Sequence, residues 1–184
     1  MNTAVRLAAL LVFAILLPAA AHAKTVQSAD TLLSSLAKAK NQDNAKQIED
    51  QLAKLWSHSG SPSADFLLQR AQSALNGNDA QTGRTILKAL TAIAPEFAEG
   101  WHARAEAALD ANDYSDALLS LRRTLQLEPR EYDALASLGS VLEDFNDKPH
   151  ALEAYRRALA IDPFADGVRD RVRALERDVE GQKI

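Results

Sequence analysis

The chain of 184 residues contains no cysteine. Disulfide bonds and cysteine-ligated zinc sites are therefore excluded, as is the acylated cysteine of a bacterial lipoprotein. Aromatic residues make up only 5% of the sequence, whereas apolar residues as a group make up 47%. The core must therefore be built mainly from close contacts between small and aliphatic side chains. Sustained polar–apolar alternation is also missing, which argues against strands. These absences predict an all-α protein.

The usual motifs of catalysis are missing as well. The sequence has no glycine-rich phosphate loop, no nucleophile elbow and no HExxH pair. His102 and Glu106 stand four residues apart and could reach one metal ion from the same helix face. Two ligands at this spacing are weak support beside the simpler interpretation of a solvated histidine. We therefore predict no enzyme, no cofactor and no metal site, and keep a metal-assisted enzyme using His102 and Glu106 as a minor alternative.

Only one long apolar run is present, and it lies at the N-terminus. Arg6 precedes eleven apolar residues, Leu7 to Leu17, and Pro18 is followed by the triplet Ala21-His22-Ala23. This pattern predicts a secretory signal peptide, residues 1–23, cleaved after Ala23. An uncleaved anchor is the rival interpretation, but eleven residues span about half of the roughly 30 Å hydrocarbon core. We expect a soluble, periplasmic protein without a stable membrane anchor.

Cations are not in excess. Without Arg6, 20 basic residues stand against 25 acidic ones. Binding to nucleic acid requires a cationic surface. Nucleic acid is therefore not expected as a partner.

A motif is repeated three times in the second half of the chain, at intervals of 34 residues. Pro95, Pro129 and Pro163 mark its phase. The other in-phase positions are Asn78-Asp79, Asn112-Asp113 and Asn146-Asp147, with the small residues Ala71, Ala105 and Gly139 and Gly83, Ala117 and Ala151. A fixed period of this length predicts a solenoid in which each unit buries its apolar face on the next.

Each unit is expected to be a helical hairpin. In the middle copy, Asp113 can cap a second helix that runs from Tyr114 to Leu127 and ends before Pro129. Ala105 and Ala117 are expected to face one another between the two helices, as Gly139 and Ala151 are in the third copy. Trp101 is predicted to be the largest buried anchor.

These residues together resemble the tetratricopeptide repeat over residues 64–163. Arg70 and Arg104 depart from the pattern, since the family usually has leucine there. The resemblance implies a right-handed α-solenoid of antiparallel helix hairpins that binds a protein or peptide in a concave groove lined by the first helices. The structural repeat positions are Ala71, Gly83, Pro95, Trp101, Ala105, Ala117, Pro129, Gly139, Ala151, Tyr155, Ala158 and Pro163.

Both ends of the array are expected to carry polar caps, because terminal repeats otherwise expose an apolar face. A divergent helical hairpin and its joint precede the repeats, and a capping helix from Asp166 to about Asp178 follows them. Trp56 is expected to fill the seam between this hairpin and the first repeat, or else to stand exposed as a partner anchor. The predicted divisions are 1–23 signal peptide, 24–63 hairpin and joint, 64–97, 98–131 and 132–165 for the three repeats, and 166–184 for the capping helix and tail.

Acidic residues are in excess over the repeats. Residues 64–163 contain 16 acids and 10 cations. Several acids fall on the first helices, and the cations collect on the second. The resemblance implies a groove formed by Asp65, Leu68, Gln72, Glu99, His102, Glu106, Leu109, Asp110, Asp133, Ser140, Glu143 and Asp144. Such a groove either keeps the surface soluble or selects a basic or polar segment of a partner.

The functional hypothesis is an exported scaffold or adaptor that binds protein, in envelope assembly, proteolysis or transport. The stretch from Leu55 to Pro62 is also similar to small exported repeat proteins of Gram-negative bacteria. Self-association through residual apolar surface on the end helices is the structural alternative.

Overall fold

The computed structural model describes residues 29–179 and residue 181, and within them every regular element is a helix. The predicted signal peptide lies outside the described residues. Residues 29–36 form α1. The later helices are α2 (Gln42–Trp56), α3 (Pro62–Asn76), α4 (Ala80–Ile93), α5 (Ala98–Asp110), α6 (Tyr114–Leu127), α7 (Tyr132–Asp144), α8 (Lys148–Ile161) and α9 (Val168–Val179). The prediction of an all-α repeat fold is confirmed.

The repeated Asn-Asp pairs form the turn inside each hairpin. Asn78, Asn112 and Asn146 have φ angles of 61°, 56° and 60°. Asparagine is one of the few residues that enter this left-handed region readily, which explains its recurrence. In the first two copies the following aspartate caps the second helix: the Asp79 carboxylate accepts from Thr82 N–H at 3.1 Å and that of Asp113 from Asp116 N–H at 3.2 Å. In the third copy Asp147 makes no capping hydrogen bond, and its carboxylate lies 2.8 Å from His150 Nδ1.

The repeated prolines end the second helices. Pro95, Pro129 and Pro163 each lie two residues beyond the end of α4, α6 or α8. The residue immediately before each proline has left helical geometry, with ψ values of 65°, 93° and 98°. Clash with the proline ring disfavours the helical conformation at that position. The chain therefore turns into the next repeat at the same point in each copy.

Three hydrophobic clusters join the repeats, and each cluster draws on three consecutive helices. The first includes Leu68 of α3, Leu87 of α4 and Ala103 of α5. The second includes Ala105, Leu121 and Ala134, and the third includes Leu135, Tyr155 and Val172. Because every cluster bridges one hairpin and the next helix, the array has a continuous core.

Small residues permit the close approach of the helices. Ala105 and Ala117 are fully buried. A Cβ added to Gly139 would lie 2.7 Å from the Tyr155 ring. The atoms nearest to this added Cβ belong to Tyr155. The glycine makes room for an aromatic ring that is itself 4% exposed.

Trp101 is not the buried anchor that the sequence suggested. Its side chain is only partly buried and belongs to none of the hydrophobic clusters. Its indole N–H donates to the carbonyl of Pro95 at 3.0 Å, and the guanidinium of Arg104 lies 5.3 Å from the ring centroid. Because the polar edge of the ring finds a backbone acceptor and Arg104 shields one face, the indole remains near the surface.

The N-terminal hairpin does not stack on the first repeat. Its buried leucines, among them Leu36 and Leu52, form a cluster with Tyr132 at the start of α7, and Ile161 and Phe164 pack against this cluster. At the far end, the Gln42 side-chain amide donates to the carbonyl of Phe164 at 3.3 Å. Helix α2 therefore runs back along the array, on the edge where the inter-repeat turns lead into the first helices.

The position of Trp56, at the end of α2, follows from the direction of this helix. Its ring lies 6.1 Å from that of Tyr132 at an interplanar angle of 43°. Tyr132 belongs to the third repeat, so Trp56 does not fill a seam with the first repeat as expected. The two aromatic rings help to attach the hairpin to the middle of the array.

The last described helix closes the other end. Val172 and Leu175 of α9 are buried against the third repeat. Ion pairs flank this contact: Arg171 meets Glu143 at 2.5 Å and Lys148 meets Asp178 at 2.7 Å. None of the helices in the described part of the chain is long and apolar enough to cross a membrane.

Candidate functional site

The first helices α3, α5 and α7 present a polar face, which we call the first-helix face. Its exposed members lie mainly in the C-terminal halves of these helices. The exposed members in these C-terminal halves are Gln72, Glu106, Asp110, Ser140 and Asp144. Three of the five are acids, and we call Glu106, Asp110 and Asp144 the acidic row.

The acidic row is not neutralised by nearby lysine or arginine. Within the described residues, Asp110 and Asp144 form no ion pair, and Glu106 approaches only His102, at 3.7 Å. Asp144 accepts a long hydrogen bond from the Tyr114 hydroxyl at 3.4 Å. The side chain of Glu106 is 60% exposed. The row can therefore attract a cationic group from outside the protein.

Some predicted groove residues do not belong to this free surface. Leu68 is 1% exposed and lies in the first hydrophobic cluster, and Leu109 packs against the second. Glu143 is held by Arg171 of the capping helix. Asp65 accepts from the Ser59 N–H at 2.7 Å and so anchors the joint before α3. Helical periodicity predicted these residues on the polar face. In the structure they contact neighbouring parts of the protein and are not free to bind a partner.

His102 is also internal, which corrects its expected role as a groove contact. It is 6% exposed. Its Nδ1 atom lies 3.7 Å from a Glu99 carboxylate oxygen, and its Nε2 atom is buried without a hydrogen-bond partner. Burial alone would lower the pKa of His102, but Glu99, Glu131 and Glu106 outweigh it and raise that pKa. The imidazole is thus surrounded by carboxyl groups in a nearly dry site.

Glu131 is the member of this surrounding that the sequence did not reveal. It is 3% exposed and precedes α7, yet its side chain makes no capping hydrogen bond. Burial is the main cause that raises its pKa. Glu131 comes from the turn between repeats, 29 residues after His102. No periodic pattern links the two positions, and only the stacking of the repeats brings them together.

Asp133 lies between the exposed acidic row and the buried carboxyl groups around His102. Its side chain is exposed, but it lies among Glu106, Asp162 and Glu99, and the surrounding protein raises its pKa to about 6, chiefly by desolvation. His102 acts in the opposite direction and lowers it. The predicted groove is therefore divided into a free C-terminal half and an N-terminal half close to the hairpin.

Arg104 shows how a departure from the repeat pattern is accommodated. Its guanidinium forms an ion pair with Asp116 across α5 and α6. It also donates to the Thr91 hydroxyl at 3.0 Å. The seam that leucine usually fills in the family is here joined by a partly buried polar network.

The comparisons with known proteins agree with this architecture. Residues 102–166 match the family model described as tetratricopeptide repeat. The fold defines the chain as an all-α solenoid of helical hairpins, like that of tetratricopeptide-repeat proteins. No curated protein matches the sequence significantly.

Solved structures of tetratricopeptide-repeat proteins have the same fold. The Arabidopsis OM64 TPR domain is 14% identical with a TM-score of 0.60, and the match covers 64% of this chain and 97% of that one. The Sgt2 TPR domain from Aspergillus fumigatus is 20% identical with a TM-score of 0.58, covering 66% and 82%. A structure of MamA is 18% identical with a TM-score of 0.58, covering 87% and 84%.

Proposed function

We propose that this chain is an exported adaptor that binds a basic or polar segment of a partner protein on its first-helix face. The repeat fold supports the general role, because stacked helical hairpins offer an extended surface for protein binding. The observation that carries the proposal is the acidic row, in which Asp110 and Asp144 are exposed without an ion-pair partner among the described residues.

The acidic row is placed to bind a partner segment that crosses consecutive repeats. Glu106 and Asp110 lie one turn apart on α5, and Asp144 ends the neighbouring first helix α7. Gln72 and Ser140 add uncharged hydrogen-bonding groups on the same face. A partner segment with spaced lysine or arginine residues would therefore meet an acid on each of two successive repeats.

The second helices carry charge of the opposite sign. Arg84, Lys88, Arg122, Arg123, Arg156 and Arg157 all lie on them. Arg123, for example, donates to the carbonyl of Pro95 at 3.2 Å. Arg123 and Arg156 are paired with Glu96 and Glu176. Among the described residues, however, the second helices offer no row of exposed, unpaired acids like that of the first-helix face, which gives binding of a cationic segment a preferred face.

The predicted signal peptide sets the compartment in this proposal. An exported repeat protein in the periplasm would meet partners of envelope assembly, proteolysis or transport. Cross-linking in intact cells, followed by identification of the captured proteins, tests this part of the proposal.

Charge reversal on the row tests the binding surface. The probe is a short fluorescent peptide rich in lysine and arginine, and its affinity is measured by anisotropy at low and high salt. Asp110→Lys should weaken binding several-fold, and rising salt should weaken binding to the unchanged protein, since screening shortens the range of the interaction below about 10 Å.

The matched control is Glu153→Lys, which reverses an exposed acid on the second helix α8 and changes net charge by the same amount. It should leave the affinity nearly unchanged. Equal losses in both variants would mean that net charge and not the first-helix face governs binding. An affinity that does not change with salt would contradict the proposal directly.

A further inference from the structure

Three side chains of metal-binding type meet between the second and third repeats. Glu99 and His102 lie one turn apart on α5, and Glu131 precedes α7. One ligand atom from each residue lies within 4.8 Å of the other two. His102 and Glu131 are 6% and 3% exposed, and the side chain of Glu99 is 18% exposed. Within the part of the chain that the structure describes, this is the only such group.

Two members of this group each lack a hydrogen bond expected at their position in the fold. The Nε2 atom of His102 is buried and makes no hydrogen bond. The Glu131 carboxylate lies at a helix N-terminus but does not cap it. A buried polar atom without a partner is costly, so the site has unused ligand capacity.

We propose that Glu99, His102 and Glu131 bind a divalent transition-metal ion, with zinc as the preferred ion. A divalent ion would displace the protons of the site, and the resulting two carboxylates and one neutral imidazole carry a charge of two negatives, which the ion balances. Imidazole nitrogen favours zinc and neighbouring transition metals over magnesium and calcium, which prefer oxygen ligands alone.

The three ligand atoms need to move only slightly closer together to bind one ion. Zinc binds nitrogen and carboxylate oxygen at about 2.0–2.2 Å, so ligand atoms around a tetrahedral ion lie about 3.3 Å apart. Glutamate side chains can supply this movement by rotation about their side-chain bonds. Water would complete the coordination shell.

The ion would join two repeats. Glu99 and His102 belong to the second repeat, whereas Glu131 leads into the first helix of the third. Binding would therefore fix the relative position of α5 and α7, whose outward surfaces carry the acidic row. This inference does not depend on the proposed partner, because metal binding is measured on the isolated protein.

The experiment uses the tag-free full chain after treatment with chelator. Isothermal titration calorimetry with zinc should show one equivalent bound at micromolar or tighter affinity, and magnesium should show none. Cobalt should give the visible absorption of a site with low coordination number and a nitrogen ligand. Zinc should also raise the melting temperature.

Glu131→Gln and Glu99→Gln remove one ligand charge each and keep the side-chain size. Each should weaken zinc binding by more than the roughly 10- to 100-fold that loss of an outer-shell partner costs. The control is His150→Gln, which removes the exposed histidine whose Nδ1 lies 2.8 Å from Asp147. It should bind zinc as the unchanged protein does.

Several results would overturn the assignment. One is the absence of stoichiometric zinc binding by the unchanged chain, which would leave an ion-pair network of His102 with its carboxylates. Another is full affinity in both glutamine variants, or loss of binding in His150→Gln. If Glu131→Gln fails to fold, the less buried Glu99→Gln decides the outcome.

Discussion

The hydrophobic cluster that joins the second and third repeats is built from alanine, leucine and valine, whereas the hairpin α1–α2 meets the same array through an aromatic pair and several carboxyl groups. In this cluster, Ala105, Leu121 and Ala134 are fully buried and carry no polar side-chain atom. At the hairpin, Glu49 faces Asp162, and Asp162 is 1% exposed. The apolar contact contains no ionisable group, whereas the contact with the hairpin contains carboxyl groups whose charge depends on pH.

Of the two contacts, the one with the hairpin contains groups that titrate. Packing of apolar groups depends little on pH, because nothing in it titrates. The hairpin contact contains two adjacent carboxyl groups, and one oxygen of Asp162 is buried without a donor. A proton on Glu49 supplies that donor, so the attachment of the hairpin should respond to pH, whereas the apolar cluster of Ala105, Leu121 and Ala134 should not.

The largest expected effect compares one buried leucine from each region. Leu121→Ala in the repeats should lower the free energy of unfolding of the array by about 2–5 kcal/mol. Leu52→Ala in α2 removes the same atoms from an equally buried site, but we expect it to release the hairpin and leave the array folded.

Hydrogen exchange measured by mass spectrometry separates the two cases. Exchange should rise only over residues 29–56 in Leu52→Ala, and throughout the repeats in Leu121→Ala. Uniform acceleration in Leu52→Ala would show that hairpin and array unfold as one unit.

A smaller effect is expected from a single methyl group at the closest seam. Gly139→Ala should destabilise the fold by about 1–3 kcal/mol, because the added Cβ meets the buried Tyr155 ring. Alanine is otherwise the better helix former by about 1 kcal/mol, so a loss of stability reports the clash. Chemical denaturation measures it, with Ser140→Ala at the exposed neighbouring position as control. A stability gain in Gly139→Ala would mean that the helices can move apart freely.

The smallest expected effect is the pH response of the hairpin. Burial, reinforced by Asp162, raises the pKa of Glu49 from 4.5 to about 7, although Lys46 opposes the shift. The folded form thus binds this proton more tightly than the unfolded chain does. Its contribution to stability is complete below pH 4.5 and is lost as the pH rises to about 7.

Melting curves between pH 5 and pH 8 in Glu49→Gln and in the unchanged protein isolate this contribution. The unchanged protein should lose a few degrees more than Glu49→Gln as the pH rises. Glu153→Gln, on the exposed surface of α8, should behave as the unchanged protein does. Parallel curves for all three would show that Glu49 does not control the attachment.

Much of the repeat fold could be predicted from the sequence, since local chemistry repeats there in register. The predicted second helix Tyr114 to Leu127 is the observed α6, and the Asp113 cap is present. Prediction was less successful for Trp101, whose burial depended on the groups that pack around it. It failed for Trp56, whose partner Tyr132 lies 76 residues away.

The candidate site shows the same limit. Exposure of Asp110 and Asp144 followed from helical periodicity alone, whereas the burial of Leu68 and His102 did not. His102 has a polar side chain on the polar side of its helix, and only the approach of Glu131 from the turn before α7 encloses it.

The sequence by itself determined the helical hairpins, their turns and their 34-residue period, because asparagine, aspartate, proline and small side chains act on the backbone within a few residues. Only the tertiary structure decided where the N-terminal hairpin lies and which carboxyl groups meet His102. Those contacts join residues far apart in the chain, and their free energy depends on burial and on neighbouring charge, neither of which is encoded in a local pattern.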